Sequence, residues 1–187
     1  MSNTRQQIMD ALLDLGAEKG LSNVSLSDIA DKVGIRKASI YSHFESQKAM
    51  TESMVEYCQG ILQTKSFKVD FKAKDAQSLM EALVDSFLET FAEKPLSSYL
   101  SIVQQQRMFD PYFAQQSKKL NSMIGARVRV ALEYCVQRSW LDIKDTDVAS
   151  DFFTSAVMDC LCDVIVGTSD YDWELDRLVD GVLTLYS

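Results

Sequence analysis

Glycine and proline are scarce in this chain, and their scarcity is what most limits the folds it can adopt. The 187 residues include seven glycines and two prolines. All-β folds need many more of both, because hairpins and corners are built from their turn chemistry. Apolar residues instead recur at helical spacing, as at Ile8, Ala11, Leu12 and Leu15, which mark one face of a helix. The sequence therefore predicts an all-α protein.

The same spacing continues along the chain and predicts about nine helices. Several boundaries fall at glycine, which ends a helix in the left-handed conformation, or at proline, which cannot extend one. Phe67–Phe71 alternates like a strand, but no second strand candidate accompanies it, so we predict an extended linker there. The first helix ends at Gly20. The others cover approximately residues 26–33, 36–44, 48–65, 75–93, a short helix between Pro95 and Pro111, a long helix from Pro111 to 140, and residues 146–166 and 171–186.

The composition is that of an ordinary globular chain, with 47% apolar and 25% charged residues. No apolar run approaches the roughly 20 residues that a transmembrane helix needs, and the N-terminal stretch lacks the apolar core of a signal peptide. We therefore expect a cytoplasmic protein that does not contact a membrane. In that compartment the four cysteines are expected to be free thiols.

Residues suited to catalysis or metal binding are few. His43 is the only histidine, and no glycine-rich phosphate loop occurs. Cys160 and Cys162 are two positions apart, so on a helix their side chains point about 200° apart and cannot hold one ion from the same face. Buried structural thiols are the simpler interpretation, and we expect no metal, no cofactor and no enzymatic activity.

Charge is distributed unevenly along the sequence. Within residues 32–48, four cations face the single carboxylate of Glu45, a local charge of +3. Residues 142–187 carry eleven acidic side chains against two basic ones, a charge of −9. A polyanion would therefore be attracted to the N-terminal part and repelled by the C-terminal part.

Three short predicted helices near the N-terminus have the outline of a helix-turn-helix. Ser25 and Asp28 have the spacing of a capping box at the start of the second helix, and Gly34 is placed to end it. The third helix then follows after a turn of a few residues, with Ile40 and Phe44 expected to face inward.

The residues of this segment also carry a family resemblance. Gly20, Ser25, Ile29-Ala30, Val33-Gly34-Ile35 and Ile40-Tyr41-Ser42-His43-Phe44 match a recurring pattern, and with them residues 20–50 resemble the TetR (tetracycline-repressor-like) family of bacterial transcription regulators. There are two departures: Arg36 replaces the usual serine, and Gln47 replaces the usual lysine, with Lys48 directly after it. The resemblance implies a DNA-binding domain over residues 1–48 and an effector-binding and dimerisation domain over 49–187.

A recognition helix in the major groove needs small or polar residues at its tip and hydrogen-bond donors beside them. The candidates for base contacts are Arg36, Lys37, Ala38 and Ser39. The candidates for phosphate contacts are Ser25, at a helix N-terminus, Tyr41 and His43, which the resemblance suggests, and Lys48. The resemblance also implies that Ser27 contacts a base or a phosphate. The alternatives are that Tyr41 and Phe44 are core aromatics and that His43 is an ordinary surface residue.

The resemblance also implies a cavity for a small effector in the C-terminal domain. Large apolar side chains of the kind that line such cavities are Met80, Phe87, Phe91, Tyr99, Met108, Phe113, Met123 and Trp140. Each of them is alternatively a plain core residue.

The last two predicted helices are apolar around more than half of their surface, which one core-facing stripe does not require. A two-fold homodimer is the usual reason for such excess, and the resemblance implies a four-helix interface. The candidate interface residues are Phe152, Ala156, Cys160, Val164, Leu178 and Val182.

Together these features predict a dimeric regulator that binds a palindromic operator in double-stranded DNA, a repressor released by a small molecule. One alternative is an enzyme with its active site in the helical core, which the single histidine argues against. The other is an adaptor whose helix-turn-helix binds protein, which the +3 segment argues against.

Overall fold

The computed structural model describes residues 3–65, 67 and 69–186, and within them it contains helices and no strand. The all-α class predicted from the sequence is confirmed, with nine α-helices in the described residues and a 3-10 turn at Leu21–Asn23. The α-helices are α1 Asn3–Lys19, α2 Leu26–Val33, α3 Lys37–Ile40, α4 Gln47–Thr64, α5 Ala76–Ala92, α6 Leu96–Gln106, α7 Pro111–Gln137, α8 Thr146–Val166 and α9 Tyr171–Tyr186.

Two predicted helices are shorter than expected. The backbone at Arg36 is extended, so α3 begins at Lys37. After Ile40 the chain forms turns, such as the one closed by the hydrogen bond from His43 N–H to the Ile40 carbonyl (3.0 Å), and the regular helix does not continue to Phe44. Likewise α6 ends at Gln106, so the predicted helical position of Met108 is wrong. Pro111 disfavours the helical conformation at Asp110, directly before it, so α6 and α7 do not form one continuous helix.

The segment around Phe67 and Phe71 is only partly described, since Ser66 and Lys68 lie outside the described residues. Phe67 and residues 69–71 contain no strand, as the sequence predicts. The extended linker itself stays a prediction.

The first of two compact units consists of the chain up to Lys65 together with Lys94–Ala114. In it α1 packs against α2, α4 and α6. A Cβ added at Gly16 of α1 would lie 2.9 Å from Cδ1 of Ile102, so these two helices approach closely. The buried apolar residues of this unit include Ile8, Leu12, Ile29, Ile40, Phe44 and Met50.

The second unit consists of the intervening chain up to Glu93 and the chain from Gln115 onward. Here α5 packs against α8 and α9, which also contact each other. Its buried residues include Met80, Leu83, Phe87, Val157, Cys160 and Leu178. The structural division does not coincide with the functional boundary predicted after residue 48, which stays a prediction.

All four cysteines are free, and three of them are buried. Burial raises the pKa of Cys135 to about 11, which keeps that thiol protonated at neutral pH. Among the described residues no helix is long and apolar enough to cross a membrane, and no three potential metal ligands of the described part come together.

Candidate nucleic-acid interface

The start of α2 is built as the sequence predicts. Ser25 Oγ accepts a hydrogen bond from Asp28 N–H (3.2 Å), and Ser25 N–H donates to Asp28 Oδ2 (2.8 Å), which completes the capping box. Lys19 Nζ lies 2.9 Å from Asp28 Oδ2, and its hydrogen bond, followed by those from Ser25, lowers the pKa of Asp28. Ser25 and Ser27 are both exposed.

A left-handed glycine connects α2 to α3. Gly34 has φ 75° and ψ 32°, and its N–H donates to the carbonyls of Ala30 and Asp31. Ile35 N–H also donates to Ala30 O (3.0 Å), so the end of α2 is closed by the chain that leaves it. This turn determines where Arg36 and α3 begin, and we call residues 36–44 the recognition segment.

The tip of α3 is exposed and positively charged. Arg36, Lys37 and Ala38 are exposed, and Ser39 is half-buried. Neither Arg36 nor Lys37 forms an ion pair with any residue that the structure describes. Lys32, by contrast, lies 3.1 Å from Asp14 Oδ2, so its charge is compensated within the protein. The net attraction for a polyanion is therefore concentrated at the tip.

The aromatic residues after the tip separate into surface and core. Tyr41 is 56% exposed, so its interpretation as a core aromatic is wrong, whereas Phe44 is buried as predicted. His43 between them is half-buried, and its backbone carbonyl accepts a hydrogen bond from the Arg5 guanidinium. Tyr41 thus presents its ring and hydroxyl to solvent directly beside the cationic tip.

The start of α4 carries the two family departures noted in the sequence. Gln47 Nε2 donates to the Val24 carbonyl (3.3 Å) and so links α4 to the residue before the α2 cap. The Lys48 side chain is exposed, and its Nζ lies 3.8 Å from Glu52 Oε1, a surface pair that holds it weakly. The Gln47 side-chain N–H is therefore bonded within the protein, and Lys48 is the cation that can meet an anion at this end.

Arg5, in the first turn of α1, is a residue that the sequence analysis missed. Its guanidinium donates to the His43 carbonyl and to Ser53 Oγ (2.9 Å), and its Cζ lies 4.1 Å from the centre of the Phe44 ring. No periodicity or motif marks it, because its partners are 38 and 48 residues away.

The predicted effector residues are divided between the two units. Met80, Phe87 and Phe91 are fully buried in the second unit, where Met123 and Trp140 are half-buried. Tyr99 and Phe113 are buried in the first unit, and burial raises the pKa of Tyr99. Met108 is 78% exposed in the turn between α6 and α7, which corrects its prediction as a cavity-lining residue.

The predicted dimer residues also separate by exposure. Cys160, Leu178 and Val182 are buried inside the second unit, which corrects their placement on a partner-facing surface. Ala156 and Val164 are half-buried, and Phe152 is 73% exposed. The other large apolar residues that are exposed on α8 and α9 are Val148, Val166, Trp173 and Leu185.

Comparison with known sequences matches this interface to a family. Residues 8–54 match the family described as bacterial regulatory proteins, tetR family. A 124-residue stretch is 26% identical to the biofilm operon icaADBC HTH-type negative transcriptional regulator IcaR of Staphylococcus aureus (strain Newman), and it covers 66% of this chain and 67% of that protein. A 93-residue stretch is 30% identical to the nucleoid occlusion factor SlmA of Vibrio cholerae and covers 49% of this chain and 47% of SlmA.

Comparison with solved structures extends the similarity of fold to the whole chain. A transcriptional regulator from Saccharomonospora viridis, solved in complex with choline, superposes with a TM-score of 0.78 and covers 100% of this chain and 98% of its own. The two sequences are 18% identical, so this similarity establishes the fold alone.

Proposed function

Because the chain belongs to the tetR family of bacterial regulatory proteins and carries the family's DNA-binding helix-turn-helix, we propose that it is a repressor that binds a palindromic operator as a homodimer and is released by a small molecule. The observation that carries the proposal is the tip of α3. It presents Arg36 and Lys37 to solvent without an ion pair among the described residues, on a helix positioned by the Gly34 turn.

In this proposal the exposed residues have two kinds of role. Lys37 reads a base edge from the tip, with Arg36, Ala38 and Ser39 beside it, because a major-groove helix discriminates bases through such side chains. The hydroxyl and ring donors of Ser25, Ser27, Tyr41 and His43, together with the Lys48 ammonium, position the protein on phosphates and carry no sequence information.

A second copy of the chain completes the binding unit. Two recognition helices related by a two-fold axis enter successive major grooves about 34 Å apart, so half-site centres are expected about 10 base pairs apart. The exposed apolar side chains of α8 and α9, with Phe152 foremost, form the surface that a partner would cover.

Release by an effector follows from a difference in affinity between two conformations. In this proposal a small molecule enters the second unit beside Met80, Phe87 and Phe91, which are buried, and it favours the conformation that admits it. It weakens operator binding only by as much as it prefers that conformation over the DNA-bound one. IcaR is named as a negative regulator, and the Saccharomonospora protein binds choline, which supports repression and effector control in this family.

The acidic C-terminal part fits this arrangement. Residues 142–187 carry −9, and a dimer doubles that charge, so this part is held away from DNA and contributes no phosphate contacts. A regulator of chromosomal genes in a bacterium acts in the cytoplasm, and we place the protein there.

Selection from a random duplex library tests the proposal. The full-length protein is incubated with the library, bound duplexes are recovered and sequenced, and the mass of the complex is measured by light scattering. We expect palindromic sites with half-sites about 10 base pairs apart, bound by two chains. A single asymmetric half-site bound by one chain would refute the dimeric mechanism, and recovery of no preferred sequence would refute sequence-specific binding.

The salt dependence of binding tests the role of Lys48. Each phosphate neutralised by a cation contributes about −0.9 to the slope of log K against log salt concentration, so Lys48→Gln should make the slope of a dimer shallower by about 1.8. Lys65→Gln at the other end of α4 is the matched control and should leave the slope unchanged. An unchanged slope in Lys48→Gln would mean that Lys48 touches no phosphate.

A further inference from the structure

The recognition segment is too short to hold its own orientation. α3 has four residues, and a single helical turn is unstable in isolation, because the cost of fixing its backbone is not repaid by one or two hydrogen bonds. Its direction therefore depends on contacts with the rest of the first unit. At the start of the segment the Gly34 turn supplies such a contact. At its end, the buried side chains of Ile40 and Phe44 supply further contacts, and Arg5 adds to them.

Arg5 joins three parts of the first unit through one planar group. From α1, its Nη1 donates to the His43 carbonyl in the turn after α3, and its Nη2 donates to Ser53 Oγ of α4 (2.9 Å). The same guanidinium lies over the Phe44 ring, with Cζ 4.1 Å from the centroid. Phe44 is itself buried, so the residue under the guanidinium is anchored in the core. The end of the recognition segment is thus tied to α1 and α4 together.

The chemistry of this cluster favours arginine over lysine. A guanidinium donates along fixed directions in one plane and stacks on an aromatic face, whereas an ammonium is a compact charge that cannot make both hydrogen bonds and the stacking contact in this geometry. The positive group also donates to a backbone carbonyl, that of His43 in the turn after α3. The charge of Arg5 is therefore directed inward, to the backbone that supports the interface.

We propose that Arg5 is a positioning residue for DNA recognition, which orients α3 and the adjoining Tyr41 through its bonds to His43 and Ser53 and its contact with Phe44, and not through a contact with DNA. The proposal rests on the proposed function in one respect, that the segment held by Arg5 meets DNA. It gives α1, which carries none of the predicted DNA contacts, a direct part in the affinity for the operator.

Two variants distinguish positioning from a phosphate contact. Arg5→Lys keeps the charge and loses the fork, and Arg5→Gln loses both. If Arg5 positions α3, both variants lower affinity for the selected palindrome by roughly tenfold, the strength of a charged hydrogen bond, and both leave the salt slope unchanged. If Arg5 touches a phosphate, Arg5→Lys binds like the wild type and Arg5→Gln loses about 1.8 from the slope of a dimer, which overturns the proposal. Lys119→Gln, an exposed cation of α7 in the second unit, is the control for removal of a charge.

Hydrogen exchange in the free protein tests the same contact without DNA. The amide hydrogens of Ser42, His43 and Phe44 are bonded to carbonyls of Ser39 and Ile40 at 3.0–3.2 Å. In Arg5→Lys these three amides should exchange roughly tenfold faster, while the amides of the α2 interior keep their wild-type rates. Unchanged exchange at all three amides would overturn the proposal. Faster exchange with unchanged operator affinity of the folded fraction would also overturn it, because Arg5 would then stabilise the segment without affecting recognition. A wild-type protein that binds no duplex refutes the proposed function, and the exchange rates still decide whether Arg5 holds the segment.

Discussion

The stability of a Gly34→Ala variant measures backbone strain at the turn between α2 and α3 without a contribution from steric crowding. Gly34 has φ 75°, and a Cβ added there would meet nothing within 4 Å. Gly60, inside α4, also has open space for a Cβ, but it is helical. Both glycines belong to the first unit. Alanine at the two positions therefore differs only in the backbone conformation that it must adopt.

The expected free energies follow from that difference. In the left-handed region an L-residue costs about 1–2 kcal/mol, and the smaller entropy of the unfolded alanine chain offsets about 0.4–1 kcal/mol, so Gly34→Ala should lose about 1 kcal/mol. In a helix interior alanine is better than glycine by about 1 kcal/mol, so Gly60→Ala should gain that amount. For a chain of this size 1 kcal/mol moves Tm by about 2–4 °C, and the two variants should differ by about 4–8 °C.

Thermal and urea unfolding followed by circular dichroism measure this difference. Both tryptophans, Trp140 and Trp173, lie in the second unit, so their fluorescence shows whether that unit unfolds with the first. Gly34→Asn is a further variant, since asparagine tolerates the left-handed conformation and should recover part of the loss. Equal stability of Gly34→Ala and Gly60→Ala would refute the argument, because it would mean that the turn does not require a positive φ.

Three further outcomes are expected. Lys37→Ala should lower operator affinity and relax the preference at one base position by about 1–3 kcal/mol. Tyr41→Phe should instead weaken binding to all duplexes alike. If Lys37→Ala lost equal affinity for operator and scrambled DNA, the base-reading role of Lys37 would be contradicted. Phe152→Asp should convert the dimer to a monomer in light scattering, and an unchanged mass would exclude this surface as the interface. Glu174 is buried, which alone would raise its pKa, but hydrogen bonds from a neighbouring serine and from Arg177 outweigh this and lower its pKa from 4.5. The carboxylate therefore adds stability above that pH, so Glu174→Gln should lower Tm at pH 7, with a difference from the wild type that shrinks as the pH falls below 4.5; a difference that does not depend on pH would contradict this.

Local chemistry explains why much of the helix-turn-helix was predictable. The Ser25–Asp28 capping box joins residues three apart, and the left-handed Gly34 requires only its own lack of a Cβ, so neither depends on distant parts of the chain. The same holds for α8 and α9, whose observed bounds match the predicted 146–166 and 171–186. Asp145 caps the first turn of α8, and a left-handed Gly167 ends it.

Features that depend on distant partners were not predictable. α3 ends at Ile40 although the Phe44 N–H still donates to the Ile40 carbonyl (3.0 Å), so the apolar spacing of Ile40 and Phe44 predicts their burial and not the end of the regular helix. Arg5 reaches His43 and Ser53 across 38 and 48 positions, and a solitary arginine in an amphipathic helix looks like any solvated cation. The exposure of Met108 was missed for the same reason, since an apolar residue at helical spacing is expected to be buried.

α8 has two apolar faces, and the apolar spacing in the sequence does not tell which of them is buried. Phe153 and Val157 are buried in the second unit, while Val148 and Phe152, one step around the helix, are exposed. Both pairs have the spacing i, i+4, so the sequence shows that two faces are apolar and does not show which of them faces the chain's own core. Transfer of a phenylalanine side chain out of water is worth about 1.5–3 kcal/mol. A face that leaves Phe152 in solvent gives up that free energy unless a partner covers it, and this difference favours the exposed face of α8 as the surface for the proposed second subunit.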